Sequence, residues 1–361
     1  MKILYFLYDH INNPWVGGGA AVRAYEIYKR LSQKGYKITI ISGNYPDAKD
    51  YKEGNIEFKF LGYKKNYILS TFSYAYYANK YLRNHYKNFD IIIEDFAPWN
   101  PIFSNQLQNL KPIILQLHHK EGKNILKKYN IFGFPFYVIE KTYHLKFKNI
   151  ITVSQPTAKK FNLKNYKIIP NGIDENLLNI KTNIGKYILY IGRIDLYNKG
   201  LDLLIDSMES YPLLIVGKGK DEIKLKNLIK EKKNITFKGF VNEHEKIEFI
   251  QNSKFVVMPS RFEGQGIVAL EAAAIGTPLI VSDIPELEYV VKNGFGISFK
   301  SGDAQDLSRK IKYLYNNESL LKKMSANGKE YAKNFSWDKI ADEYENYIKQ
   351  VLYNFRASQS L

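Results

Sequence analysis

Short runs of Ile, Leu and Val alternate along this chain with longer amphipathic stretches, and this alternation limits the fold more than any other feature. In the first half, the predicted strands cover residues 2–8, 36–42, 56–60, 90–94, 112–118 and 149–153. Buried strands that alternate with helices predict a parallel sheet covered by helices on both faces.

A second series of the same kind begins after Pro170-Asn171-Gly172. Its predicted strands cover residues 187–191, 213–216, 235–237, 255–258 and 278–281, and residues 303–355 are predicted to be almost entirely helical. A length of 361 residues suits two domains of about 150–200 residues each. We therefore predict an α/β protein of two Rossmann-like doubly wound domains that face a cleft, with a linker near residues 171–184. Ligands of such sheets bind beyond the carboxyl ends of the strands.

Composition excludes several classes of protein. The chain has no cysteine, which excludes disulfides, cysteine zinc sites and thiol catalysis. No apolar stretch approaches the roughly 18 uncharged residues of a membrane span, so we expect a cytoplasmic protein. The net charge is +17, and residues 1–180 hold 26 Lys and Arg against 13 Asp and Glu, whereas residues 181–361 hold 27 against 23.

This basic first half would attract anionic partners such as a membrane surface or nucleic acid. A general bias toward Lys, Asn, Ile and Tyr is the alternative explanation of the total charge, although it explains the asymmetry less easily. One function to weigh is therefore a non-enzymatic nucleic-acid- or anion-binding protein. No nucleic-acid-binding motif accompanies the charge, so a nucleic-acid partner is not expected.

Two strand ends in the second half carry glycine next to cationic residues. The strand 187–191 runs into Gly192-Arg193, and Lys199 precedes Gly200 where the next helix begins. An Arg fork and a Lys point charge near a helix N-terminus suit a diphosphate. Gly217 follows the next strand in a similar turn and is predicted to contact the same ligand.

The segment of residues 259–272 contains the most specific pattern. A strand leads into a glycine-rich loop, a helix starts near Ile267, and two carboxylates stand eight residues apart. Glycines at this point let a ligand approach the main chain, and each carboxylate could hold sugar hydroxyls. The predicted ligand-contacting residues of this segment are Glu263, Gly264, Gln265, Gly266, Ile267 and Glu271.

Together these elements resemble family 4 of the glycosyltransferases, the retaining enzymes of GT-B fold. The resemblance covers most of the chain and is stronger from about residue 150 onward. It differs at Gln265, where an aromatic residue is usual in the family. The matching elements are the Glu-x7-Glu pair Glu263 and Glu271, the Gly-Arg and Lys-Gly pairs Gly192, Arg193, Lys199 and Gly200, and the Asn-Gly-Ile-Asp run 171–174.

The resemblance implies a retaining hexosyltransferase that moves a sugar from a nucleotide diphosphate donor to a glycan or lipid-linked acceptor. It implies an acceptor domain of residues 1–170 with a C-terminal helix, residues 336–355, that crosses back to it, and a donor domain of residues 171–335. Arg193 and Lys199 would hold the diphosphate, Glu263 the donor sugar and Glu271 the ribose. Phe240, beyond the strand 235–237, completes the predicted substrate-binding residues.

In the first half, Gly17, Gly18 and Gly19 lie between a strand and a helix, and we predict that they contact phosphate or acceptor. A flexible turn is the alternative. His118 ends the strand 112–118, where it could bond the donor sugar or support its positive charge, and the resemblance places a functional His at this position. Neighbouring His119 and a purely packed His118 are the alternatives.

Two further features of the first half bear on the acceptor. Glu94 and Asp95 end a strand and could touch the acceptor or act as a base, although helix capping or loop charge explains them equally well. Residues 123–148 mix Lys with aromatic and aliphatic residues, which is typical of a segment on an anionic membrane or beside a lipid acceptor. A buried loop and helix is the alternative for this segment.

No Asp-x-Asp motif and no His/Asp cluster with metal-ligand spacing occurs in the sequence. Cationic side chains would then take the place of Mg²⁺ beside the leaving diphosphate. We therefore predict metal-independent transfer, with the nucleotide sugar as co-substrate and no other cofactor, and a cytoplasmic enzyme able to lie peripherally on the inner face of the cell membrane.

Overall fold

The chain divides at two points into two compact units. A computed structural model describes residues 1–16 and 18–359, and in it unit 1 comprises Met1–Pro170 and Asp338–Leu361, whereas unit 2 comprises Asn171–Trp337. Each unit contains its own sheet, and each is described by itself below.

Unit 1 is built on a sheet with the order β3-β4-β2-β1-β5-β6-β7-β8, in which all neighbours are parallel except β3 and β4. The continuous Ile-rich runs fill the central strands, because helices cover both faces of such a sheet. The strands are β1 (Lys2–Phe6), β2 (Lys37–Gly43), β3 (Tyr51–Glu53), β4 (Ile56–Leu61), β5 (Ile91–Asp95), β6 (Ile113–Leu117), β7 (Asn149–Thr152) and β8 (Lys167–Ile168).

Among the described residues before position 170, unit 1 has five α-helices. They are α1 (Gly19–Gln33), α2 (Tyr67–His85), α3 (Asn124–Tyr129), α4 (Phe134–Thr142) and α5 (Gln155–Phe161). The helix α2 begins at Tyr67 because the Asn66 side chain caps it by accepting a hydrogen bond from the N–H of Leu69, 3.1 Å away.

Unit 2 has an all-parallel sheet with the order β11-β10-β9-β12-β13-β14. Its strands are β9 (Tyr187–Ile191), β10 (Leu213–Val216), β11 (Ile235–Gly239), β12 (Ser253–Met258), β13 (Leu279–Ser282) and β14 (Gly296–Phe299). Its helices are α6 (Leu201–Ser207), α7 (Glu222–Ile229), α8 (Glu243–Gln251), α9 (Ile267–Ile275), α10 (Glu288–Lys292), α11 (Ala304–Tyr315) and α12 (Glu318–Ala332).

The last helix, α13 (Trp337–Gln359), packs into unit 1. Tyr344, Ile348 and Val351 on this helix are buried, and the Tyr344 hydroxyl lies 3.2 Å from that of Tyr28 on α1. Lys34 forms an ion pair with Glu345 at 2.6 Å. The C-terminal helix therefore supplies part of the hydrophobic core of the N-terminal sheet.

A buried arginine ties α1 to the end of unit 1. Arg23 has no exposed surface, and its guanidinium donates to the carbonyl oxygens of Ile169, at 2.8 Å, and Pro170, at 2.5 Å. The same guanidinium lies 5.9 Å from the ring centre of Tyr344. Burial of this charge is tolerated because carbonyl oxygens and an aromatic face surround it.

The sequence did not predict three of the strands. β3 is short and fully exposed, β8 has two residues, and β14 starts with Gly and includes Ser, so none shows the apolar run of a buried strand. Within residues 1–16 and 18–359, no helix combines the length and apolarity that crossing a bilayer requires.

Candidate active site

The predicted site residues of unit 2 follow three neighbouring strands. β9 lies between β10 and β12, so the loops after all three strands leave the sheet at the same edge. Gly192 and Arg193 follow β9, Gly217 follows β10, and the loop that contains Glu263 follows β12. This is the carboxyl edge, where ligands of open parallel sheets bind.

Two of these loops approach each other so closely that one position tolerates only glycine. Gly217 has a φ of 140°, and a Cβ placed on it would lie 1.8 Å from the carbonyl oxygen of Gly192. The N–H of Gly192 donates to Val216 at 3.0 Å, and that of Gly217 donates to Gly239 at 2.8 Å. Gly217 thus fixes the loop that presents Arg193.

Lys199 and Glu263 form the central ion pair of the site. The Lys199 Nζ lies 2.5 Å from Glu263 Oε1, and the Ser260 hydroxyl donates to the same oxygen at 2.9 Å. Both partners are largely buried. The structure therefore brings together a residue predicted to bind the diphosphate and a residue predicted to bind the sugar, although they are 64 residues apart in the sequence.

Arg193 follows β9, makes no ion pair with any residue in the described part of the chain, and has an exposed side chain. The Tyr190 hydroxyl donates to the carbonyl oxygen of Arg193 at 2.7 Å. Burial raises the pKa of Tyr190, the charge of Glu263 raises it further, and Arg193 opposes this shift. The charges of Arg193 and Glu263 thus act in opposite directions on one buried phenol.

Glu271, in α9, has one occupied and one open oxygen. Its Oε1 accepts a hydrogen bond from Lys246 Nζ at 2.8 Å, and Lys246 also pairs with Glu243 at 2.6 Å. Burial opposes the charge of Lys246, but the two carboxylates outweigh burial and raise its pKa. Glu271 Oε2 is buried and has no hydrogen-bond partner among the described residues. A buried acceptor of this kind is costly unless a ligand satisfies it.

The glycine-rich loop before α9 contains several of the residues that are predicted to contact the ligand. Gln265 is buried, and its Oε1 accepts a hydrogen bond from the N–H of Asn171 at 2.7 Å. Gly264 lies in the loop, and Gly266, with a φ of 80°, caps α9 just before Ile267. No acidic residue occupies the first turn of α9, which leaves its N-terminus attractive to an anion.

Phe240 lies just beyond β11 and has 69% of its surface exposed. The Lys218 ammonium lies 4.6 Å from the centre of its ring. The open face of such a ring can stack on a planar group.

In unit 1, His118 follows β6 and belongs to a buried hydrogen-bond network. Its Nε2 lies 2.6 Å from Asp95 Oδ2, at the end of β5, and the His118 side chain is 16% exposed. Gly18 caps α1 and Gly19 begins it, whereas Gly17 lies outside the described residues.

Glu94 does not fulfil the acceptor or base role considered for it. It is 1% exposed and accepts hydrogen bonds from the N–H groups of Ile102 and Ser104 and from the hydroxyls of Ser104 and Tyr143. Burial raises its pKa, and these four donors lower it. Glu94 is a structural carboxylate that fixes the chain after β5, and residues 94 and 95 have different roles because adjacent strand residues point to opposite faces.

Comparison with known proteins identifies the family. A family model described as Glycosyl transferases group 1 matches residues 179–331, and one described as Glycosyltransferase Family 4 matches residues 17–177. The uncharacterized glycosyltransferase MJ1178 of Methanocaldococcus jannaschii is 30% identical over 353 residues, which cover 94% of this chain and 96% of that protein. The chain belongs to the group 1, family 4 glycosyltransferases.

Solved structures show the fold of this glycosyltransferase. Sucrose-phosphate synthase from Thermosynechococcus elongatus superposes with a TM-score of 0.83 at 19% identity and covers 98% of this chain and 99% of that one. Anabaena Alr3699/HepE, solved in complex with UDP-glucose, superposes with a TM-score of 0.72 at 16% identity over 97% and 100% of the two chains. The predicted GT-B class of two Rossmann-like domains is confirmed, and a non-enzymatic nucleic-acid-binding protein is not favoured.

Sequence reasoning missed the residues that brace the site of the glycosyltransferase. Arg261 forms a bidentate ion pair with Asp202, at 2.7 and 2.8 Å, and its guanidinium lies 4.5 Å from the ring centre of Tyr197. Asp195 accepts hydrogen bonds from the main-chain and side-chain N–H groups of Asn198, both at 3.0 Å. These contacts hold the loop that ends at Lys199. Their positions near two strand ends were the only available signal.

Proposed function

We propose that this glycosyltransferase is a retaining enzyme that moves a hexosyl group from a nucleotide diphosphate sugar to a glycan or lipid-linked acceptor. The observation that carries the proposal is the half-buried ion pair of Lys199 and Glu263 at the carboxyl edge of unit 2, with Glu271 further along on α9. It joins a cation suited to phosphate and a carboxylate suited to sugar hydroxyls in one place.

The donor diphosphate would bind between fixed positive groups. Arg193 has an exposed side chain, Lys199 ends the same loop after β9, and α9 begins at Ile267. Negative charge grows on the leaving phosphate as the bond to the sugar breaks, and groups already in place stabilise it without reorganisation. Lys199 would exchange Glu263 for phosphate oxygens when the donor binds.

The same exchange frees Glu263 for the sugar. Once Lys199 contacts phosphate, Glu263 Oε1 keeps only the Ser260 hydroxyl and can accept hydrogen bonds from sugar hydroxyls. The unpartnered Oε2 of Glu271 would accept from a ribose hydroxyl, which would satisfy a buried atom that otherwise has no partner. Phe240, with its exposed ring, would stack on a planar part of the nucleotide.

For the chemical step, we infer that the leaving phosphate takes the proton of the acceptor hydroxyl on the same face of the sugar. This step retains the anomeric configuration and needs no further cofactor. Arg193 and Lys199 supply the positive charge, so we expect transfer to proceed without a divalent metal. The anomeric coupling constant of the product in a proton NMR spectrum tests retention, and loss of all activity in excess chelator would contradict metal independence.

Unit 1 presents an exposed aromatic and basic surface that fits an anionic bilayer. α2 and α4 are joined by stacked Phe72 and Phe136, whose ring centres are 5.9 Å apart. Residues 123–148 contain six lysines and one acid, Glu140, which is buried and accepts N–H bonds from Glu121 and Gly122. The exposed apolar residues of this surface are Tyr67, Ile68, Leu69, Phe72, Tyr76, Tyr77, Ile131, Phe132, Phe134 and Val138.

We therefore propose that the enzyme lies peripherally on the anionic cytoplasmic face of the cell membrane, where lipid-linked acceptors are found. Phe132 is 81% exposed, so its replacement leaves the core intact. Cosedimentation with phosphatidylglycerol vesicles should fall in a double variant, Ile131→Ser with Phe132→Ser. If the unmodified enzyme cosediments equally with phosphatidylglycerol and phosphatidylcholine vesicles, the electrostatic part of the proposal is contradicted.

The decisive experiment is nucleotide release from a panel of UDP-glucose, UDP-N-acetylglucosamine and GDP-mannose, with and without acceptor. Lys199→Ala and Glu263→Ala should each lose about 10²–10³-fold in turnover, the loss found when one fixed group that stabilises a transition state is removed. Lys224→Ala and Glu288→Ala are matched controls, because both side chains are exposed. Near-normal turnover of the Lys199 or Glu263 variant would remove that residue from the site.

A further inference from the structure

His118 belongs to a hydrogen-bond network that is centred on the carboxylate of Asp95. β5 and β6 are parallel neighbours, and their register pairs Asp95 with Gln116. This register places Asp95 beside His118, two residues beyond Gln116. Asp95 Oδ2 accepts from the Tyr5 hydroxyl at 2.6 Å and from Gln116 Nε2 at 2.9 Å, and lies 2.6 Å from His118 Nε2.

The arrangement determines which ring nitrogen of His118 carries the proton. An ionised carboxylate can only accept hydrogen bonds, so the nitrogen 2.6 Å from Asp95 must donate. Nε2 therefore carries a hydrogen and, like Gln116 Nε2 at 3.0 Å from it, donates to Asp95 Oδ2; in the tautomer with this single hydrogen, Nδ1 is an acceptor. No described residue forms a hydrogen bond with Nδ1, and the side chain retains some exposure.

The C-terminal helix holds the third member of the network in place. The Tyr344 hydroxyl, on α13, donates to Gln116 Oε1 at 3.0 Å. With its oxygen engaged there, the Gln116 amide must direct its nitrogen toward Asp95. Tyr344 thus orients Gln116, and Gln116 together with Tyr5 orients the carboxylate that His118 contacts.

We infer that Asp95 is a positioning residue for His118: it fixes the proton on Nε2 and presents Nδ1 as an acceptor to a hydroxyl of a bound sugar. This inference rests on the proposed function, because the sugar is the ligand of that function. Asp95 touches no substrate and acts only through His118, with Tyr344 acting one step further away.

A double-mutant cycle tests whether Asp95 acts through His118. Asp95→Leu should lower kcat for nucleotide release about tenfold in the wild-type background, within the range for coupled residues of one network, and should have almost no effect in a His118→Ala background. Asp95→Asn, which keeps an acceptor oxygen, should recover most of the loss. An equal effect of Asp95→Leu in both backgrounds would show a purely structural role and overturn the inference.

Nitrogen-15 NMR of histidine-labelled free enzyme at pH 8 tests the proton position without any substrate. The His118 signals are assigned by their loss in His118→Gln, and they should show a protonated Nε2 whose proton exchanges slowly, and more rapidly in Asp95→Leu. A protonated Nδ1 would overturn the inference. Failure of the proposed function would appear differently, as absence of turnover with every donor while this NMR pattern persists.

The contribution of α13 has its own matched pair. Tyr344→Phe removes the donor to Gln116 and should lower kcat, whereas Tyr347→Phe removes a hydroxyl on the same helix that contacts only the carbonyl of Ile150, at 3.5 Å, and should not. Equal kcat values for the two variants would exclude α13 from the network. Nucleotide release measured without acceptor shows whether His118 Nδ1 accepts from a hydroxyl of the donor sugar or of the acceptor. If the hydroxyl belongs to the donor sugar, Tyr344→Phe should lower the rate without acceptor as well; if it belongs to the acceptor, that rate should not change.

Discussion

Replacement of Gly217 by Ala tests the close approach of two loops in the donor-binding unit. The added Cβ would lie 1.8 Å from the Gly192 carbonyl oxygen, far inside contact distance, so the loops must separate by more than about 1 Å. Gly239 is a matched control. It also has a positive φ, of 76°, but no atom lies within 4 Å of a Cβ placed there.

The magnitude follows from the bonds that join the loops. A left-handed φ costs a non-glycine residue about 1–2 kcal/mol, and both variants incur this cost. Only Gly217→Ala also disturbs the two main-chain hydrogen bonds that join the loops, those donated by Gly192 and Ile194 at 3.0 and 2.9 Å. At about 1 kcal/mol each, their loss brings the destabilisation of Gly217→Ala to about 3–4 kcal/mol.

Urea unfolding followed by tryptophan fluorescence measures this difference. Trp337 is buried in unit 2, so a background of Trp15→Phe with Trp99→Phe makes the fluorescence signal specific to that unit. Gly217→Ala should lower the free energy of unfolding by about 2 kcal/mol more than Gly239→Ala. A difference below about 1 kcal/mol would refute the view that the loop contact, and not backbone conformation alone, requires glycine.

Three further predictions concern single interactions. Lys246→Met removes the side chain that orients Glu271, so the KM for donor should rise at least tenfold. Circular dichroism should show that the variant stays folded, and an unchanged KM would exclude Glu271 from ribose binding. Burial lowers the pKa of His10 to about 4, so the unfolded chain takes up a proton at a higher pH than the folded chain does. The free energy of unfolding should therefore fall by about 1.4 kcal/mol per pH unit as the pH drops from 6.5 toward 4. A His10→Gln variant with the same slope would refute this assignment. Tyr143→Phe should cost about 1.5–3 kcal/mol in thermal unfolding without changing kcat, since it removes a donor to buried Glu94; loss of kcat at unchanged stability would contradict a structural role.

The strands of unit 2 illustrate what the sequence could predict. β9 and β10 have the predicted bounds, because each is an apolar run that helices and turns interrupt clearly. The loops after β9 and β12 could be placed at one edge, so the approach of Lys199 to Glu263 agrees with the predicted arrangement. The roles of these residues in transfer stay predictions.

Partners that come from distant segments could not be predicted. Lys246 meets Glu271 only because α8 packs beside α9, and nothing in the local pattern of α8 indicates this. The pairing of Asp95 with His118 depends on the register between two strands, which is fixed by the whole sheet. Both faces of that sheet are covered, so the alternation of polar and apolar residues could not show that Glu94 would be structural.

The place of α13 in the N-terminal unit has a consequence for synthesis on the ribosome. Tyr344, Ile348 and Val351 complete the packing of a sheet whose last strand ends at Ile168. Translation of Asn171–Trp337 takes roughly 10–30 s at about 5–20 residues per second, and throughout that interval the N-terminal sheet exposes the apolar surface that α13 later covers. The nascent chain thus exposes this apolar surface to chaperones until α13 has been translated.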